Sequence, residues 1–399
     1  MPLNENFGDY MLLEQVGIGG MAEVYLARRT GMAGFEKDIV IKRIRPHLTE
    51  QRAFVNMFLG EAKLAAQLIH PNIVHIYDLG RIEDSYFIAM EYVAGQDMSA
   101  IIPKIKERGI HLPVEYALKI GSSVCEALNY AHNQNDTQGK PLQIVHRDVS
   151  PENIRIAWTG TVKILDFGIA KAATQMHETK AGEIKGKLCY MSPEQVVGKE
   201  VDKRSDIFAL GCVLYEALTS FKLYSGSNDL DIMNQIIDGR IYPPSYFRDE
   251  IPARAEEIIM KALQKDRKKR YQTAQEMQMD IDDFLAQNEF TPSNMHLANF
   301  LKQQFKDELA DEQERRRMDT PTSSKAPGSP PPPPSISAVT SHSTPSSQRL
   351  ARQLTPGTAD LQLTVTNDTL ERLERLADKR RLSREDVLRD IVEHYLKYH

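Results

Sequence analysis

From Asp319 to Thr358 the chain is dominated by Ser, Thr and Pro and carries the unbroken run Pro330 to Pro334. No packed core can run through such a stretch. It holds too little apolar surface to offset the entropy of ordering it, and consecutive prolines favour an extended, semi-rigid spacer. The 399 residues are therefore expected to divide into a folded body, this linker over 319–358, and a small module over 359–399. Within the body, residues 10–290 alternate strand-like and helix-like segments and are long enough to bury a substantial core. Residues 291–318 read as a helical extension. Leu297, Phe300, Leu301, Phe305 and Leu309 recur there at helical spacing, which predicts one amphipathic helix packed on the body.

Composition removes several function classes. Fifty Lys and Arg against fifty-five Asp and Glu leave a formal net charge of -5, so no global field attracts nucleic acid or an anionic membrane. Cys125, Cys189 and Cys212 are too widely spaced for a disulfide framework or a zinc cluster, and they point to a reducing cytosol. The opening "MPLNENFGDY" lacks a basic and then apolar signal pattern, and no run approaches the roughly 18 apolar residues that span a bilayer. A soluble, cytoplasmic protein without membrane contact is expected.

The chemistry begins at "VGIGGMAEVYLA", Val16 to Ala27, a Gly-rich turn between two strand-like segments. Gly17, Gly19 and Gly20 let the backbone approach an anion closely, although a tight hairpin turn needs the same residues. The following "DIVIKRI" places Lys42 in an apolar strand, where an ammonium demands an anionic partner. Glu61 lies in "FVNMFLGEAKLAAQL", a helical pattern with Phe54, Phe58, Ala62 and Ala65 on its apolar side. Then come "HRDVSPEN", with Asp148 and Asn153, and "KILDFGIAK", with Asp166.

In their order and spacing these fragments resemble the eukaryotic-like (Hanks-type) serine/threonine protein kinases of bacteria, over roughly Tyr10 to Phe290. The resemblance implies an α+β, bilobal protein-kinase fold, with a small β-rich N-lobe and a larger helical C-lobe. It also implies the cofactors ATP and Mg²⁺ and protein substrates. By that likeness the loop from Val16 through Gly17, Ile18, Gly19, Gly20, Met21, Ala22 and Glu23 to Val24 covers the nucleotide, with Ala22 where the family has its third glycine. Lys42 orients the α and β phosphates and pairs with Glu61, and Asn153 and Asp166 hold Mg²⁺. Asp148 accepts or orients the substrate hydroxyl proton. Met90 to Val93, including Glu91, forms the hinge whose backbone holds adenine. Arg147 implies control by phosphate on the activation segment, with Thr174 and Thr179 as candidates. Glu194, in "YMSPEQ", pairs with Arg270, in "DRKKRY". Asp206, in "SDIFALGCVLYEAL", grips the catalytic loop.

One departure bears on catalysis. Ser150 stands two residues after Asp148, where the family carries a lysine, and Lys187 follows Gly186 where the family carries a threonine. A hydroxyl and an ammonium have traded positions. The expectation is that Lys187 reaches Asp148 and the γ-phosphate, with Ser150 as its hydrogen-bond partner. The competing reading makes Lys187 a solvated surface charge and the chain a nucleotide-binding pseudokinase scaffold.

Beyond the linker, Leu361, Leu363 and Val365 alternate with Gln362, Thr364 and Thr366 as a short strand, and two amphipathic helices follow. This order resembles the small dimeric ribbon-helix-helix family, which implies a homodimer through residues 359–399 and DNA contact through the outward polar residues. Eight basic against nine acidic residues from Ala359 to His399 favour dimerisation over DNA binding. A DNA-binding regulator with a kinase sensor domain is the other alternative to an active, autophosphorylating serine/threonine kinase.

Overall fold

The computed structural model describes residues 3–31, 35–167 and 187–318. Six antiparallel strands build the first lobe: β1 (Glu5–Phe7), β2 (Tyr10–Ile18), β3 (Ala22–Thr30), β4 (Glu36–Ile44), β5 (Ile76–Ile82) and β6 (Ser85–Glu91), in the sheet order β1-β2-β3-β4-β6-β5. Strand periodicity sorts their side chains onto two faces. Ile39, Ile41, Phe87 and Ala89 join Tyr10, Leu12 and Tyr25 on one face. Ile44, Ile88 and Met90 occupy the other, against Val55, Phe58 and Ala62 of helix α1 (Arg52–Ala65). Val55, Phe58 and Ala62 follow the spacing that puts helix residues on a single stripe.

A second sheet, β7 (Gly95–Asp97), β8 (Ile154–Ala157) and β9 (Val162–Ile164), floors the helical lobe. That lobe contains α2 (Met98–Glu107), α3 (Val114–His132), α4 (Pro193–Val196), α5 (Arg204–Thr219), α6 (Asp229–Asp238), α7 (Ala253–Ala262) and α8 (Ala274–Gln287). Every residue from Ser205 to Thr219 is buried, so α5 is the axis around which the lobe packs. Side chains of α3 cross it closely: a Cβ on Gly121 would lie 2.9 Å from Leu214. This is the expected bilobal architecture, a β-rich lobe joined through residues 92–94 to a larger helical one.

The extension differs in detail from its expected form. Instead of one helix there are two, α9 (Asn294–Gln304), whose first turn is capped by Ser293, and α10 (Lys306–Met318), separated at Phe305. The break lets Phe305 turn inward, where its ring centroid lies 6.3 Å from that of Trp158. Leu297 and Leu301 are buried beside it, Tyr116 meets Phe300, and Lys104 Nζ donates to Glu308 Oε1 at 2.7 Å. Gly160 is required at this contact. It sits at φ +81°, and a Cβ there would fall 1.7 Å from the Asn294 carbonyl oxygen. The linker and the C-terminal module, including the expected strand and helices over 359–399, lie outside the described residues.

Candidate active site

The loop from Ile144 to Ile154 is held from beneath. Ile144, Val149 and Ile154 are buried in the helical lobe, and Asp206 of α5 reaches up to the loop's backbone. Asp206 Oδ2 accepts from the His146 amide and Oδ1 from the Arg147 amide, both at 2.8 Å, while His132 Nε2 lies 2.8 Å from Oδ2. This fixation carries Arg147 at φ 65°, an uncommon conformation for a non-glycine residue. His146 is buried, which lowers its pKa and keeps it neutral. Its Nδ1 accepts from the Asp148 amide at 3.2 Å, which assigns the proton to Nε2, 2.8 Å from the Leu165 carbonyl oxygen. The loop is thereby tied to the strand end that carries Asp166.

On this base stand four polar side chains. Asn153 donates from Nδ2 to the Asp148 carbonyl oxygen at 2.7 Å and to Asp148 Oδ2 at 2.9 Å, which leaves Oδ1 as the amide's acceptor. Lys187 Nζ lies 3.1 Å from Asp148 Oδ2 and 3.5 Å from Glu152 Oε2. Partial burial works against the Lys187 ammonium, but Asp148 above all, with Glu152 and Asp166, holds its pKa above the ordinary lysine value. Lys187 is therefore in the site and charged.

Ser150 is a correction. Its residue is 1% exposed, and its Oγ finds no hydrogen-bond partner among the described residues, so it is not the ligand of Lys187. The short side chain leaves the hydroxyl below the loop, whereas the lysine ammonium is drawn to the carboxylates above it.

Lys42 enters from the other lobe. Its direct neighbours across the sheet are Val24 on β3 and Ile88 on β6, so it shares the α1-facing side. Its Nζ lies 3.0 Å from Asp166 Oδ1. Desolvation opposes ionisation of Asp166, yet the Lys42 ammonium, and Lys187 more weakly, hold that carboxyl below the usual range. Asp166 adopts φ 40°, which turns the chain sharply at the lobe boundary. Glu61 belongs to α1, but its side chain lies outside the described residues.

The Gly-rich turn closes with the Gly19 amide donating to the Ala22 carbonyl oxygen at 2.8 Å. Val16 and Ile18 are exposed along its rim. Glu23 is a second correction. It pairs across the sheet with Arg43, whose Nη2 donates to Glu23 Oε2 at 3.1 Å, on the face opposite Lys42. Alternation along β3 forces this: if Val24 shares the Lys42 face, Glu23 cannot. At the lobe junction Met90 is buried, and the Glu91 carboxylate is held by Lys163 Nζ at 2.9 Å. Thr174, Thr179 and Gly186 lie outside the described residues.

Away from the cleft, Arg270 grips Glu194 through both carboxylate oxygens, at 2.6 and 2.9 Å, and Ser205 Oγ donates to Glu194 Oε1 at 2.7 Å. Burial would raise the Glu194 pKa, but the Arg270 bonds keep it below the ordinary value. Sequence reasoning missed Glu152 and His132. Neither carries a local pattern signal, because each acquires its role by meeting Lys187 or Asp206, which are distant in the chain.

Comparison with known proteins agrees with this geometry. Residues 10–281 match the model described as "Protein kinase domain", and residues 360–398 match "Ribbon-helix-helix protein, copG family". A Myxococcus xanthus protein named tyrosine-protein kinase MasK is 43% identical over 315 residues, covering 79% of this chain and 49% of that one. Serine/threonine-protein kinase PknB of Mycobacterium leprae is 38% identical, with 68% and 42% covered, and PrkC of Bacillus subtilis is 39% identical, with 69% and 40% covered. The chain thus spans half or less of the length of these relatives. The crystal structure of the Mycobacterium tuberculosis PknI kinase domain superposes with a TM-score of 0.53 at 26% identity, covering 71% of this chain and 99% of that one. The two-lobed fold, the loop held by Asp206 and the match from residue 10 to residue 281 have one meaning: this chain belongs to the protein kinase family.

Proposed function

We propose that the chain is a protein kinase that transfers the γ-phosphoryl group of ATP to Ser or Thr hydroxyls of protein substrates. The observation that carries this reading is the group around Asp148: one carboxylate bonded by Asn153 and Lys187, on a backbone fixed by Asp206. The donor set suits the nucleotide's metal. Asn153 Oδ1 and the Asp166 carboxylate are hard oxygen ligands, the kind Mg²⁺ takes in small number while keeping phosphate oxygens and water. When bound, that ion neutralises charge on the phosphates.

The chain's own residues do the rest. Lys42 orients the α and β phosphates, and the Gly-rich turn brings backbone amides over them. The backbone of residues 90–93 receives adenine. Asp148 orients the substrate hydroxyl and takes its proton as the new O–P bond forms and the bond to ADP breaks. Lys187 supplies the cation that Ser150 cannot, and stabilises charge developing on the transferred phosphoryl oxygens. Phosphate on Thr179 or Thr174, drawn to Arg147, activates the segment, and the C-terminal module pairs two chains so that each phosphorylates the other. The match of residues 360–398 to the ribbon-helix-helix model supports that pairing.

The acceptor residue follows the names of PknB and PrkC as serine/threonine kinases, set against the name of MasK as a tyrosine kinase. Incubation of the full chain with labelled Mg-ATP, followed by phosphoamino-acid analysis, tests the proposal. Phosphoserine or phosphothreonine that disappears in Asp148→Asn is expected. Phosphotyrosine alone would transfer the chain to the other acceptor class. Nucleotide binding with no incorporation would make it a scaffold.

A further inference from the structure

The β8–β9 hairpin sets two cations side by side, for Arg155 and Lys163 are direct cross-strand partners. Like charges facing each other across an antiparallel pair weaken it, so the pairing needs compensation. Both side chains find it in the same place, the segment joining the lobes. Arg155 donates from Nε to the Val93 carbonyl oxygen at 2.7 Å, from Nη2 to the Gly95 carbonyl oxygen at 2.8 Å, and from Nη1 to Asp97 Oδ1 at 2.8 Å. Lys163 Nζ donates to Glu91 Oε2 at 2.9 Å and to the Ile73 carbonyl oxygen at 3.3 Å.

The hairpin's alternation aims both cations that way. Ile154, Ile156, Val162 and Ile164 are buried in the helical lobe, which turns Arg155, Ala157 and Lys163 to the opposite face. That face is the one toward the cleft, because Ala157 and Leu165 pack against the core of the other lobe. Gly95 allows the close approach: a Cβ there would fall 2.0 Å from the Ile156 carbonyl oxygen. A planar guanidinium suits three acceptors spread along one strand, where a hydrocarbon would leave two carbonyls without these donors.

We infer that Arg155 and Lys163 form a two-cation clamp that fixes residues 91–97 before nucleotide arrives, which makes them positioning residues for the base. The clamp rests on the proposed function in that residues 90–93 receive adenine. It lowers the cost of binding by ordering that segment in advance. Neither side chain is assigned a contact with reacting atoms, so its loss acts on affinity and not on the chemical step.

The test uses the full chain and four variants: Arg155→Met, Lys163→Met, their combination, and Arg155→Lys. Amide hydrogen exchange at residues 91–97 in the nucleotide-free protein should accelerate about tenfold in the Met variants. Affinity for Mg-ATP by calorimetry should fall about tenfold, and KM for ATP should rise equally, with kcat changed by less than about threefold. Arg155→Lys should recover part of each loss. Unchanged exchange at 91–97, or kcat and melting temperature falling together with affinity, would overturn the clamp. If the wild type binds no ATP, the nucleotide reading fails while the exchange data still decide whether the clamp exists.

Discussion

Two ion pairs flank the same stretch of chain and differ in almost everything but chemistry. Glu194 with Arg270 is sealed, its side chains 4% and 0% exposed, bidentate, and joined by the Ser205 hydroxyl. Lys187 with Asp148, seven residues earlier in the chain, is 34% and 11% exposed, and the ammonium divides itself between Asp148 and Glu152. A sealed pair cannot be exchanged for other partners without leaving an uncompensated buried charge, so its contribution is to stability. An open pair can be rearranged when a phosphate enters, which is what catalysis requires of a cation.

That contrast is easiest to break at the sealed end. Arg270→Ala should destabilise the folded protein by about 3–5 kcal/mol, read as a large drop in denaturant midpoint, with activity lost only because the fold is. A variant that stays folded but inactive would show that the sealed pair also serves the cleft. Asp148→Asn should do the reverse, lowering kcat by about 10²–10⁴-fold with the melting temperature nearly unchanged. Melting that falls with activity would place Asp148 among the structural carboxylates.

Lys187→Thr should cost about 10²-fold in kcat, and adding Ser150→Lys should restore most of it, because the loop position then supplies the cation. A Lys187→Thr enzyme with full activity would reduce Lys187 to a surface charge.

The smallest effects are in pH. Glu194 has its folded pKa below the ordinary value of 4.5, so its stabilisation is complete above about that pH and disappears as pH falls through the lower folded value. Melting curves should therefore lose stability below pH 4.5, and less steeply in Glu194→Gln. Lys187 behaves oppositely. Its raised pKa gives a contribution present below about 10.5 and lost as pH rises through the folded value, so wild type and Lys187→Thr should converge in stability only at strongly alkaline pH.

What the sequence made legible follows the same division. The α5 pattern, apolar nearly without interruption, specifies a central helix, and the strand containing Lys42 specifies a cation facing a lobe junction. Glu23 was legible too, since residues adjacent on a strand face opposite ways and Val24 is opposite Lys42. The destination of the Ser150 hydroxyl was not, because it depends on whether the loop points a short side chain down or up. The same holds for the break at Phe305, where the pull of Trp158 outweighs a helical spacing that is continuous in the sequence. Arg155 offered a faint signal, a charge alternating with Ile154 and Ile156, but its three acceptors come from a distant segment.

The contact at Gly160 has a consequence for how such a protein is assembled from parts. The family's shared module ends at residue 281, inside α8, whereas the compact unit continues to Leu309. The surplus is keyed into a turn where nothing larger than glycine fits. A gene rearrangement that transplanted this catalytic unit onto another tail would have to carry the surplus with it. One that brought a foreign catalytic unit to this tail would have to discard the surplus or supply a matching glycine. The last helices thus act as a lineage-specific key, tying the fate of the catalytic unit to the chain that follows it.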